Sequence, residues 1–247
     1  MTHPHIVKAF DEELGVLMRY IRTMGDFAAT QFADAVRALL KGDWSLAQRV
    51  IDQDRRIDGL RIELSTAAAT VIARRQPMAT DLDEVLATLR VAEDIERIGD
   101  LAKNIAKRAT TVSSGQFSDD VVVRVEELAA LASKLLAGAL ETFSLRDPEG
   151  ALAVRRQDEQ IDTLHTALFG ELVARLSADP PQAIGLVHLL FCAKNIERIG
   201  DHATHIAEAA YQIVTGRKPQ PERKKLDQSS TMASATPERP PAKPRRR

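Results

Sequence analysis

Aromatic residues are scarce: seven Phe, two Tyr and one Trp amount to 4% of 247 residues. Strands favour aromatic and β-branched side chains, so a β-rich fold fits poorly. The dominant Ala, Leu, Ile, Arg and Glu lose little rotamer freedom in a helix. Cysteine is nearly absent too. Cys192 stands alone, which excludes an intramolecular disulfide and suits a reducing compartment; within its apolar run it reads as a small core residue. The start, MTHPHIVKAFDEEL, lacks the basic-then-apolar pattern of a signal peptide. The most apolar stretch, Ala183 to Ala193, is far short of the ~20 residues that span a bilayer. A cytoplasmic protein that meets a membrane only through partners is the expectation.

Charge of one sign is also lacking, with a net of −1, but the balance conceals an asymmetry. From Arg217 onward ten Lys/Arg face three Asp/Glu, a net of +7, which leaves residues 1–216 at −8. An acidic body lacks the clustered Lys/Arg that neutralise phosphates, so direct nucleic-acid binding is not expected. The basic tail could still touch an anionic surface.

What is present is helical punctuation. With 44% hydrophobic residues the chain can build a packed core, and no segment alternates in the manner of a strand. Six helical segments are predicted in residues 1–216. The first runs from Ile6 to Leu40 and stops at Lys41-Gly42. Asp43 caps a second that continues to Arg75, before Gln76-Pro77. A third opens at Thr80, where Thr80 and Asp83 resemble a capping box, and fades near Val112. After the linker VSSGQFS, Ser118 with Asp119 and Asp120 begins a fourth, acids being favoured at a helix N-terminus. Asp147-Pro148 opens a fifth, which ends before Asp179-Pro180-Pro181. The sixth ends near Thr215-Gly216. Residues 217–247, with six prolines and no apolar period, are predicted to be a disordered basic tail.

The two halves repeat. DIERIGDLAKNIA (94–106) aligns with NIERIGDHATHIA (195–207), and DRRID (54–58) with DEQID (158–162). The predicted fold is all-α: two tandem antiparallel three-helix bundles, residues 1–112 and 113–216, followed by the tail. Each repeat carries carboxylates four apart, Asp54/Asp58 with Glu96/Asp100 and Asp158/Asp162 with Glu197/Asp201. At that spacing they lie on one helix face, where like charges repel and call for a neutralising partner. Hairpin geometry sharpens the point. Asp54 with Asp100, and Asp58 with Glu96, share a midpoint at Pro77. Asp158 with Asp201, and Asp162 with Glu197, share one between Asp179 and Pro180. Each half therefore gathers four carboxylates at one height.

Two readings of these carboxylates stay open. Hard oxygen ligands suit Mg²⁺, Mn²⁺, Ca²⁺ or iron. His205, one turn after Asp201, extends the second set and also suits zinc; Asn104, its counterpart, is a weaker ligand. The other reading is a salt-bridge network with Arg55, Arg97, Arg155 and Arg198. Gly99 and Gly200, inside helices, indicate close helix approach or space beside an ion.

At these motifs the chain resembles the PhoU family of accessory regulators of bacterial phosphate uptake. IERIGD…NIA and IERIGDHATHIA are similar to its paired E-x-x-x-D motifs, DRRID and DEQID to its D-x-x-x-D motifs, and FDEEL with Met24-Gly25 to its first helix. The resemblance covers residues 6–216. It implies two three-helix bundles with multinuclear metal sites, holding iron or zinc in some members and Mg or Mn in others. Asp54, Asp58, Glu96 and Asp100 match the first site; Asp158, Asp162, Glu197 and Asp201 match the second. Glu93-Asp94 precedes the first motif and Lys194-Asn195 the second, which makes the first face the more acidic and unequal occupancy the expectation. Implied partners are the ATPase subunit of the phosphate ABC transporter and the sensor histidine kinase of phosphate starvation; a homodimer is a candidate assembly.

No enzyme is expected, since no nucleophile elbow, phosphate loop or His-Asp metal motif is present in the required context. The alternatives are a helical di-iron or metal-storage protein and a metal-free helical scaffold. Ferritin-like bundles carry Glu-x-x-His motifs, whereas Gly99 and Gly200 stand at that third position.

Overall fold

The computed structural model describes residues 4–112, 117–178, 182–220 and 225–231. Within them the helices begin and end largely where local chemistry dictates. Helix α1, Pro4–Lys41, stops at Gly42, whose φ of 62° lets the chain turn. Asp43 then caps α2, Trp44–Gln53, its carboxylate accepting the Leu46 backbone N–H at 2.9 Å. The predicted second segment is interrupted at Asp54, where α3, Arg55–Arg75, begins. Here the Ile57 N–H bonds the Asp54 carbonyl three residues back, a tighter turn than an α-helix makes. No glycine or proline marks this break, so the sequence gives no warning of it.

Helix α4, Thr80–Ala109, corrects the proposed capping box. The N-cap is Ala79, at a φ of 51°, and no side chain caps the helix; Thr80 is already inside the first turn. Helix α5, Asp119–Leu145, follows Ser118 in extended backbone. The Ser118 hydroxyl accepts from Arg175 at 3.0 Å instead of capping. Helix α6, Pro148–Ala178, is continuous, with Asp147 accepting the backbone N–H groups of Glu149 and Gly150. Helix α7, Ala183–Thr215, ends on Gly216 in the left-handed conformation. Most of the linker and the Asp179-Pro180-Pro181 turn lie outside the described residues.

Helices α1, α3 and α4 pack together, as do α5, α6 and α7, and the two bundles meet mainly through α4 against α7. The second bundle thus repeats the first, and no strand occurs among the described residues. One contiguous core runs through both, with Met24, Phe32, Leu64 and Ile98 in the first half and Leu128, Leu136, Leu168 and Ile199 in the second. The α5 helix is long and apolar enough to cross a membrane by composition, which the sequence reading did not single out. Here its Leu128, Leu135, Leu136 and Phe143 are spent on that core.

The glycines explain how closely the motif helices approach. A Cβ at Gly99 would stand 2.8 Å from Ile57 Cδ1, and one at Gly200 2.9 Å from Ile161 Cδ1. Glycine costs about 1 kcal/mol of helix propensity at each position. Burying an isoleucine side chain returns roughly 1.5–3 kcal/mol, so close approach wins.

Part of the tail has definite contacts. Residues 225–231 lie against α6 and α7 and end in a 3₁₀ turn, Ser229–Thr231, although no α-helix or strand forms beyond Gly216 among the described residues.

Candidate functional site

In the first repeat the carboxylates of α3 and α4 converge as the hairpin midpoint requires. Lys103, one turn beyond Asp100, places its ammonium between them, donating to Asp54 and, at 2.8 Å, to Asp100 Oδ1. Burial works against this ammonium, but hydrogen bonds to Asp100 and Asp54 hold its pKa above the ordinary lysine range. Asp54 is buried, whereas Asp58, Glu96 and Asp100 are only partly so. Burial raises the Glu96 pKa, and Asp100 and Asp58 add to that against the pull of Arg97. Arg97, largely exposed, lies 3.6 Å from Glu96 and 3.5 Å from Asp100, so it serves the edge of the cluster only. Asn104 is exposed.

The second cluster is drier. Asp158, Asp162 and Glu197 are 2%, 1% and 1% exposed, and Asp201 is half-buried. The Lys103 position is Thr204 in this repeat, and the cations come from elsewhere. The Lys194 ammonium is 2.8 Å from Glu197 Oε2. From the tail, Lys225 pairs with Asp201 and lies 3.9 Å from Glu197 Oε1, while the Leu226 N–H donates to Asp162 Oδ2 at 2.7 Å. Even so, Glu197 Oε1 and Asp162 Oδ1 have no hydrogen-bond partner among the described residues, and Glu197 Oε2 has the Lys194 ammonium alone. Burial raises the Glu197 carboxyl above its ordinary range. Buried oxygens of this kind, short of donors, are what a hard cation requires. The fit is therefore better here than in the first cluster, although that face was expected to be the more acidic.

His165 belongs to this neighbourhood and escaped the sequence reading. It is fully buried one turn after Asp162; its Nδ1 is 3.2 Å from Asp227 Oδ1 of the tail, and its Nε2 has no hydrogen-bond partner among the described residues. Burial lowers its pKa. The available signal was its spacing from Asp162, on the motif's own face.

His205 does not stay within its own repeat. Its Nδ1 is 3.4 Å from Asp94 Oδ1 on α4, and His202 Nδ1 is 2.8 Å from the same oxygen. Hydrogen bonding to Asp94 raises the His205 pKa.

Comparison with known proteins agrees with the repeated all-helical fold. The family pattern described as PhoU domain matches twice, over residues 21–109 and 125–210. A Rhizobium meliloti protein named phosphate-specific transport system accessory protein PhoU homolog is 47% identical over 236 residues, covering 96% of this chain and all of that one. The crystal structure of PhoU from Pseudomonas aeruginosa superposes with a TM-score of 0.81 at 32% identity, over 84% of this chain and 100% of that one. That of the phosphate transport system regulatory protein PhoU from Streptococcus pneumoniae gives 0.78 at 25% identity, over 85% and 99%.

Proposed function

The chain belongs to the PhoU family, and from that premise we propose that it is a cytoplasmic, non-enzymatic regulator of phosphate uptake and phosphate-starvation signalling. It would act as an adaptor between the ATPase of the phosphate transporter and the sensor kinase. The observation that carries the reading is the match of both repeats to the family pattern, together with relatives named for the phosphate transport system along nearly the whole chain. A pull-down with the transporter ATPase and the kinase tests it; retention of neither would overturn the adaptor role.

The metal part of the proposal rests on the second cluster. Asp158, Asp162, Glu197 and Asp201 would hold a divalent or trivalent ion, with His165 beside them. The donors suit iron, Mg or Mn, and zinc if an imidazole joins. Such an ion would supply charge compensation and stiffen α6 against α7. Metal analysis of the purified chain and of Glu197→Ala checks this, and equal metal content in both would remove the ion from that cluster. In the first repeat Lys103 favours the metal-free reading, because its ammonium already bridges Asp54 and Asp100. A ferritin-like di-iron enzyme gains no support. The position it needs for histidine is held by Gly99 and Gly200, packed against Ile57 and Ile161.

A further inference from the structure

Within the thirteen aligned motif residues the repeats differ at four places: Asp94/Asn195, Leu101/His202, Lys103/Thr204 and Asn104/His205. One difference, Lys103, supplies the cation of the first cluster. The other three converge. Asp94 comes from α4 and His202 and His205 from α7, on opposite sides of the seam between the repeats, and each repeat lacks what the other supplies.

We propose that Asp94, His202 and His205 form a third metal site, separate from both carboxylate clusters, which takes Zn²⁺ or a similar borderline transition ion and clips the two repeats together. The three can each offer one ligand atom within 4.8 Å of the others. Two imidazoles and one carboxylate are the ligand chemistry of zinc sites that leave a position to water. A tetrahedral ion with ligand bonds of about 2.0–2.1 Å draws its ligand atoms to roughly 3.4 Å apart. The closing movement falls to His205, which is 54% exposed, while Asp94 and His202, at 19% and 18%, form the fixed side. The spacing of His202 and His205 puts both rings on one face of α7, 5.7 Å apart and edge to face. Asp201 and Glu208 also act on His205, so the local field favours a cation there; Arg90 and Arg97 on α4 and Arg61 on α3 border the Asp94 side and are the opposing charges.

In the metal-free chain an imidazole that reaches Asp94 through Nδ1 does so as a donor. Coordination through that nitrogen needs the ring neutral with its proton on Nε2, so ion uptake relocates or releases a proton. The His–Asp hydrogen bonds are then the apo form of the site.

The test uses the untagged full-length chain, titrated with Zn²⁺ by calorimetry and with Co²⁺ by visible absorption. Asp94→Asn, His202→Leu and His205→Asn each copy the residue the other repeat carries at that place. Each is expected to weaken one Zn²⁺ site about tenfold or more. Asp162→Asn with Glu197→Gln should leave that site intact, which separates it from the second cluster. Zn²⁺ should also raise the melting temperature of the wild type by more than that of His205→Asn, a substitution at an exposed position that leaves the core untouched. Unchanged Zn²⁺ stoichiometry and affinity in His205→Asn and Asp94→Asn, or no saturable Zn²⁺ binding by the wild type, would overturn the proposal.

Discussion

At the scale of single residues, burial raises the Glu197 carboxyl above its ordinary value of 4.5, and Lys194, 2.8 Å away, offsets only part of that penalty. A folded-state pKa above the unfolded one means that the folded form binds the proton first. The charge therefore subtracts from stability above the folded pKa, and the loss disappears as pH falls through it toward the unfolded value. Glu197→Gln removes the charge without leaving Lys194 alone, since Lys194 also donates to Asp227 at 2.7 Å. In metal-free buffer at neutral pH the variant should be more stable by roughly 1 kcal/mol. Denaturant titrations across pH should show the gain shrinking in acid; a loss at neutral pH would mean that Glu197 is fully compensated. Gly200→Ala should act in the other direction. Its methyl would meet Ile161 Cδ1 at 2.9 Å and Asp158 Oδ1 at 3.3 Å, and Ile161 is itself buried. Overpacking of 1–3 kcal/mol exceeds the ~1 kcal/mol of helix propensity gained, so stability should fall by about 1 kcal/mol. Adding Ile161→Val removes the clashing carbon and should recover most of that loss in the same unfolding assay.

The helical elements differ between the repeats more than their motifs suggest. The break at Asp54 and the continuous α6 carry equivalent carboxylates, and Lys103 bridges the broken side. Lys103→Thr, the residue at the same place in the second repeat, leaves buried Asp54 without its cation and should cost about 1–3 kcal/mol. Added Mg²⁺ or Mn²⁺ should stabilise the variant by more than the wild type, restoring part of that loss, as read from melting curves. If the variant melts like the wild type with and without the ion, the first cluster needs no cation. The element boundaries were legible because caps act within a turn: Asp43, Gly42, Asp147-Pro148 and Gly216 all stand where their chemistry places them. The level carboxylates were legible because an antiparallel hairpin fixes height by chain distance. Lys103, His165 and the break at Asp54 were not. Each depends on which way a side chain or carbonyl turns in the packed bundle, and spacing, such as that of His165 from Asp162, places a residue on a face without fixing its contacts. Asp94 meeting His202 was further out of reach, being a contact 108 residues apart between bundles.

For the molecule as a whole, the charge asymmetry acquires a location. The tail's composition predicted no packed structure, yet 225–231 lies over the drier cluster and supplies the ammonium that Thr204 cannot. Lys225 pairs with Asp201, the Leu226 N–H holds Asp162, and Asp227 joins His165 and Lys194. A chain ending at Gly216 would lose these contacts and carry a net charge of −8 instead of −1. Removing a cation from beside buried carboxylates strengthens their pull on any other cation. The truncated chain should therefore bind Mn²⁺ at the second cluster roughly tenfold tighter, the equivalent of about 1.4 kcal/mol. Lys225→Ala should reproduce much of that gain in the full-length chain. Raising the ionic strength should narrow the gap between full-length and truncated chains, because salt screens the effect of the tail's net positive charge. Mn²⁺ titrations of the three chains at two salt concentrations decide the matter. Equal affinities would mean that the tail rests on the cluster without competing for it.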